Sequence, residues 1–110
     1  VNDIKVKFEQ QQMKLICKID GDFDAYHSAD IKKMIKEQIE TSNHRKLVID
    51  MSDVPYIDSA GLGTMVAILK DARNYGKEVI LTSMRQNVKR IFEMTRLDKV
   101  FQIVDTPEEA

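Results

Sequence analysis

The chain has 110 residues, enough for one two-layer core and too few for separate cofactor and substrate domains. Hydrophobic residues make up 43% and charged residues 32%, a balance that folds, while a net charge of −1 lacks the clustered excess of cations that nucleic-acid backbones require. The single cysteine, Cys17, excludes an internal disulfide and a multi-cysteine metal site; with no apolar run of membrane-span length and no basic-then-apolar leader, the expectation is a cytoplasmic protein without a membrane or nucleic-acid partner.

In chain order, Ile4, Val6 and Phe8 alternate with Lys5, Lys7 and Glu9. Met13, Leu15, Cys17 and Ile19 then alternate with Lys14, Ile16, Lys18 and Asp20. Period-two alternation predicts two strands, each with one wet face. The link Gln10-Gln11-Gln12 has neither the Gly nor the Asn that tight hairpins favour, and Gly21-Asp22 punctuates the end of the second strand. Ile31, Met34, Ile35 and Ile39 recur at helical spacing, with Ser28 expected as N-cap, Asp30 in the first turn and fraying near Thr41-Ser42-Asn43.

Leu47-Val48-Ile49 is a continuous apolar run, as in a strand buried on both faces, and residues 50–58, with Pro55, form a polar, turn-prone stretch. From Ser59 a second helical stripe runs through Leu62, Met65, Val66, Leu69 and Ala72 to a stop near Gly76. Val79-Ile80-Leu81 is another buried strand. Ser83 with Gln86 resembles a capping box before a third helix marked by Val88, Ile91, Phe92 and Thr95. Residues 100–104 read as a last strand, and 106–110 as a short helical turn. The order ββαβαβαβ predicts one α/β sandwich over residues 1–110, with later strands parallel in a mixed sheet and helices mainly on one face.

Most chemistry is missing. Gly61 and Gly63 give only Gly-x-Gly, since a dinucleotide fingerprint would need a third glycine where Val66 stands, and no Walker sequence exists. His27 and His44 have no second ligand at metal spacing and read as ordinary surface or capping residues. Cys17 falls among the inward residues of its strand, so it fills core rather than acts as a nucleophile. A serine hydrolase would need Gly-x-Ser-x-Gly around Ser59, but the position two before is Ile57, and neither histidine has a clear carboxylate to orient it. The expectation from these residues is no catalytic residue, no metal site and no cofactor.

One segment remains: Tyr56-Ile57-Asp58-Ser59-Ala60-Gly61-Leu62-Gly63-Thr64. It follows a buried strand and opens a helix whose first N–H groups lack intrahelical partners, so Asp58 or Ser59 is expected to cap it. On a helical wheel, Ala60, Gly63, Thr64, Ala67 and Asp71 lie opposite the apolar stripe, with Ile68 and Tyr75 at the margin. Such a small-residue face, with Ser59 at its head, suits close docking better than a solvated face of Lys and Glu would.

These residues resemble the anti-sigma factor antagonist family, small members of the STAS superfamily. Gly21-Asp22-Phe23-Asp24-Ala25 is similar to the family's Gly-Glu-Leu-Asp-Ala element, and Asp58-Ser59-Ala60-Gly61-Leu62-Gly63 to its signature after the central strand. The stretch 88–101 is similar to its closing segment. The resemblance implies a STAS-like sandwich of about five strands and a non-enzymatic partner switch. The unmodified domain would bind an anti-sigma factor with serine kinase activity and so release a sigma factor; the kinase would phosphorylate Ser59, and a serine phosphatase would reverse this. It further implies that Asp24 lies in the partner-binding surface. With the wheel, the expected contacts are Asp24, Asp58, Ser59, Ala60, Gly61, Gly63, Thr64 and Ala67. Tyr26-His27 departs from the family's small residues. The alternatives are a STAS scaffold or adaptor in a stress-sensing assembly or lipid transport, an esterase, and a nucleotide-binding domain resting on Gly61-Leu62-Gly63 alone.

Overall fold

The alternation in the first twenty residues closes into a hairpin in the computed structural model, which describes residues 3–110. Strands β1 (Lys5–Gln11) and β2 (Lys14–Asp20) pair antiparallel, with Gln11 opposite Lys14. The loop is therefore only Gln12-Met13. Gln12 itself takes the positive φ, 53°, that a glycine or asparagine would supply at less cost. Met13, expected inward, sits on this turn and is exposed.

The chain then alternates through α1 (Ser28–Thr41), β3 (Lys46–Asp53), α2 (Ser59–Asn74), β4 (Glu78–Thr82), α3 (Gln86–Met94) and β5 (Gln102–Val104), with 3₁₀ turns at Leu97–Lys99 and Pro107–Glu109. The expected order ββαβαβαβ is the observed one. The five strands lie in sequence order across the sheet, and β2 through β5 run parallel. Parallel neighbours need crossovers, which the helices provide. Among the described residues no helix is long and apolar enough to cross a membrane.

One sheet face carries Leu15, Cys17, Ile19, Leu47, Ile49, Met51, Val79 and Leu81, and these join Ile31, Ile35 and Ile39 of α1, Met65, Ile68, Leu69 and Ala72 of α2, and Val88 and Phe92 of α3 in one core. The helices thus cover that face. On the other face Ile16, Val48 and Ile80 are also buried, although Ile16 was expected among the wet residues of its strand. The C-terminal segment folds back there: the Lys14 ammonium donates to the Pro107 carbonyl at 3.2 Å, and Ile16, Asp50, Pro107 and Glu108 line one groove.

Several boundaries differ from expectation. Strand β3 runs to Asp53, because Met51 keeps the period of two by turning into the core while Asp50 and Ser52 stay half-exposed; the turn starts only at Val54. Ser28 is not the N-cap of α1. His27 holds that position, and the buried Ser28 hydroxyl donates back to the Asp24 carbonyl at 2.6 Å. The Ser83–Gln86 capping box does not form, since Ser83 adopts φ 63° and the helix starts after Arg85 with no side-chain cap. The last strand shortens to Gln102–Val104 because Val100 and Phe101 close the 3₁₀ turn, each donating its N–H to the Leu97 carbonyl at 3.0 Å. Gly76, at φ 70°, ends α2 as expected.

Candidate functional site

Beyond the ends of β2 and β3 the two following loops stay zipped together. The Gly21 N–H donates to the Asp53 carbonyl at 3.0 Å, the Phe23 N–H to Tyr56 at 2.9 Å, and the Asp58 N–H to Phe23 at 3.2 Å. Phe23 and Ile57 form an isolated parallel bridge, and both side chains are buried. Backbone pairing and burial together fix both loops against the starts of α1 and α2.

Asp58 is the knot. One carboxylate oxygen accepts the Gly61 N–H at 2.9 Å and so caps α2; the other accepts the Ala25 N–H at 3.0 Å. Each bond satisfies a backbone donor that would otherwise lack a partner, and the charged acceptor strengthens both. The carboxylate therefore ties the Asp24-Ala25 loop to the head of α2. Beneath it, Gly61 permits the contact: a Cβ there would stand 2.1 Å from the Phe23 carbonyl oxygen.

The structure brings most of the expected contact residues onto one surface. Ser59 is the first residue of α2 and is exposed. Gly63 is exposed and faces open space, while Ala60, Thr64 and Ala67 are half-buried along the same helix. Asp24 and Asp58 are half-buried beside them. Gly61 needs correction, because it is buried against the Phe23 carbonyl and offers nothing to a partner. The inward stripe of α2 also turns, to Gly61, Met65, Ile68, Leu69 and Ala72, leaving Leu62 and Val66 half-exposed. The helix start rests on the Phe23 loop, and that rotates Ile68 into the core.

Other candidates for chemistry lie elsewhere. Burial, and secondarily the Asp50 carboxylate, pushes the Cys17 thiol far up, so it stays protonated in the core. A cleft of about 620 Å³ is lined by Asp3, Lys5, Asp20, Gly21, Asp22, Asp53, Pro55 and Arg85, and none of the expected contact residues borders it. His44 is half-buried near the end of α1, at the edge of a small crevice with Ser42 and Lys77. Burial pulls the Lys77 ammonium below its usual range.

The STAS domain family model matches residues 5–110. The chain belongs to the STAS domain family. It is 32% identical over 83 residues to the anti-sigma-B factor antagonist of Listeria monocytogenes, an alignment covering 76% of this chain and 72% of that one. The crystal structure of a candidate anti-sigma factor antagonist from Thermotoga maritima superposes with a TM-score of 0.87 at 27% identity, covering 94% of this chain and 89% of that chain. The phosphorylated form of the Bacillus cell fate determinant SpoIIAA superposes with a TM-score of 0.70 at 16% identity, covering 96% and 95%, and shares the fold.

In this STAS domain the sequence pattern does not reveal which aromatic residues surround the surface. Tyr26 is 73% exposed in the Asp24 loop and Tyr56 is 49% exposed just before Asp58. That the two exposed rings sit on loops paired with each other is visible only in the fold. His27, expected at the surface or as a plain cap, is 6% exposed, and its ring turns inward.

Proposed function

We propose that this domain is an anti-sigma factor antagonist in which Ser59 is the switch. The unmodified surface, with Ser59, Ala60, Gly63, Thr64 and Ala67 on α2 and Asp24 and Asp58 beside it, binds an anti-sigma factor with serine kinase activity and frees its sigma factor. The kinase phosphorylates Ser59, and a serine phosphatase restores the hydroxyl. The observation that carries this reading is the exposed Ser59 at the head of a small-residue helix face that Asp58 ties to the Asp24 loop.

The physics favours a signal read at the interface. Phosphorylation adds about 1.5 to 2 negative charges and three acceptor oxygens. The helix start favours such charge by roughly 0.3–1 kcal/mol, and the neighbouring Asp58 carboxylate opposes it. The stretches that build this surface, residues 19–31 and 47–69, contain no Lys or Arg, so they supply no cation to receive the phosphate. Inside a docked complex the same group must shed its water without a prepared partner, at a cost of several kcal/mol. A few kcal/mol is about a hundredfold in affinity.

The test is incubation of the domain with each anti-sigma factor serine kinase of the same genome and ATP, followed by mass spectrometry. Phosphate is expected on Ser59; phosphate elsewhere, or none, sinks the proposal. Ser59→Ala should bind the kinase and resist modification, whereas Ser59→Asp should weaken binding about a hundredfold. Ala67→Lys should weaken the complex at least about tenfold and leave the domain folded. An unchanged dissociation constant for Ala67→Lys would remove the outer face of α2 from the interface.

A further inference from the structure

We infer that His27 is a positioning residue for Asp24, locking that carboxylate in one orientation on the docking surface; this rests on the reading of Asp24 as a partner contact. The His27 ring is buried at 6% exposure, and its Nδ1 lies 2.9 Å from an Asp24 carboxylate oxygen and 2.9 Å from the Asp22 carbonyl oxygen. Both neighbours are acceptors, so Nδ1 carries the proton; an Nδ1 lone pair would face two oxygens at contact distance. The same Asp24 oxygen also accepts the His27 backbone N–H at 3.0 Å. Side chain and main chain of one residue thus hold one oxygen of Asp24.

The rest of Asp24 is held as firmly. Its carbonyl accepts the Ser28 N–H at 2.9 Å and the Ser28 hydroxyl at 2.6 Å. The Tyr26 ring meets the His27 ring edge-on, with centroids 4.9 Å apart. The Asp24 side chain nevertheless keeps 25% of its area exposed. A carboxylate already confined to one rotamer loses little freedom when a partner engages it, and that raises affinity without adding a contact. His27 does not touch the partner; it acts through Asp24.

Two measurements decide this. In the free, nitrogen-15-labelled domain, long-range proton–nitrogen spectra should show His27 protonated at Nδ1; a bare Nδ1 overturns the inference. In binding to the anti-sigma factor kinase, His27→Ala should cost about tenfold. His27→Asn, whose amide N–H₂ falls near the Nδ1 position, should recover most of that and keeps the test alive if the alanine variant folds poorly. In an Asp24→Ala background, His27→Ala should cost nothing further. Additive losses, an asparagine variant no better than alanine, or full affinity in Asp24→Ala each overturn it. Failure of the wild-type domain to bind any such kinase would instead bring down the antagonist reading, and this inference with it.

Discussion

Helices α2 and α3 both start at the carboxyl end of a parallel strand, yet their first turns are built differently. The start of α2 is capped by Asp58, tied through the same carboxylate to the Ala25 N–H, and seated on the Phe23 carbonyl through Gly61. The start of α3 has Arg85 at the N-cap position with no side-chain cap, and no acidic residue in its first turn. Its sequence there is cationic, with Arg85, Lys89 and Arg90. The start of α3 is tied too, to the end of β3 and the loop after it, by exposed bonds from Arg85 to the Ser52 carbonyl at 3.0 Å and from Asn87 to the Pro55 carbonyl at 2.8 Å. Only the start of α2 has a side-chain cap, and it is the one carrying the exposed serine. The switch proposed at Ser59 calls for rigid surroundings, whereas α3 need only bury Val88 and Phe92.

The largest way to break this contrast is Gly61→Ala. The new methyl would overlap the Phe23 carbonyl, which is backbone held by the Asp58 N–H and cannot step aside. A loss of about 3 kcal/mol is expected, or a fall in melting temperature on the order of 10–15 °C. Gly63→Ala, two residues on, meets nothing within 4 Å and should stabilise by about 0.5–1 kcal/mol through helix propensity. Equal melting temperatures for the two variants would show that the close seat on the Phe23 loop is absent in solution.

Next in size is Asp58→Ala. It removes the cap and leaves the Ala25 N–H without its acceptor, a combined cost of about 2 kcal/mol by denaturant unfolding. Arg85→Ala at the corresponding place before α3 loses one exposed bond to the Ser52 carbonyl and should change stability by less than about 0.5 kcal/mol. If the two substitutions cost the same, Asp58 is not the knot described above.

How much of this was legible in the sequence follows from the range of each interaction. Asp58 as a cap is a local matter, set by residues three apart, and the pattern shows it. The same aspartate's second bond, to Ala25, spans the chain and depends on two loops continuing the β2–β3 pairing. Gly61 enters the expected contacts through the Asp58–Gly63 signature and not through the wheel, and nothing local in the sequence shows the Phe23 carbonyl lying across it. Ile16 sits in a row with Lys14 and Lys18, so only the C-terminal segment folding over the sheet explains its burial. The polar residues Asp50, Ser52 and Asp53 hide the end of β3 in the sequence, although Met51 keeps the alternation that extends it. The failed capping box before α3 is the reverse case: the local motif was present, but Ser83 follows the last residue of β4 in a left-handed conformation that points the chain elsewhere.

The smallest effect is the sharpest test of how the proposed phosphate would act. An aspartate at the first residue of a helix meets unpaired N–H groups and the positive end of the dipole, a gain of roughly 0.3–1 kcal/mol. Gln86→Asp, at the first position of α3, should realise that gain, since no carboxylate occupies its first turn and Arg85 and Lys89 lie close in sequence. Ser59→Asp, at the first position of α2, should gain almost nothing because the Asp58 carboxylate already accepts the Gly61 N–H and repels a second negative charge. Asp58→Asn keeps an acceptor and removes the charge, so Ser59→Asp in that background should become favourable, though by less than Gln86→Asp, which also has Arg85 and Lys89 nearby. Should Ser59→Asp stabilise the unaltered domain as much as Gln86→Asp does, negative charge at Ser59 would be absorbed by the fold itself. A phosphate there would then act by tightening α2, and the repulsion of a docked partner would no longer be needed to explain a switch.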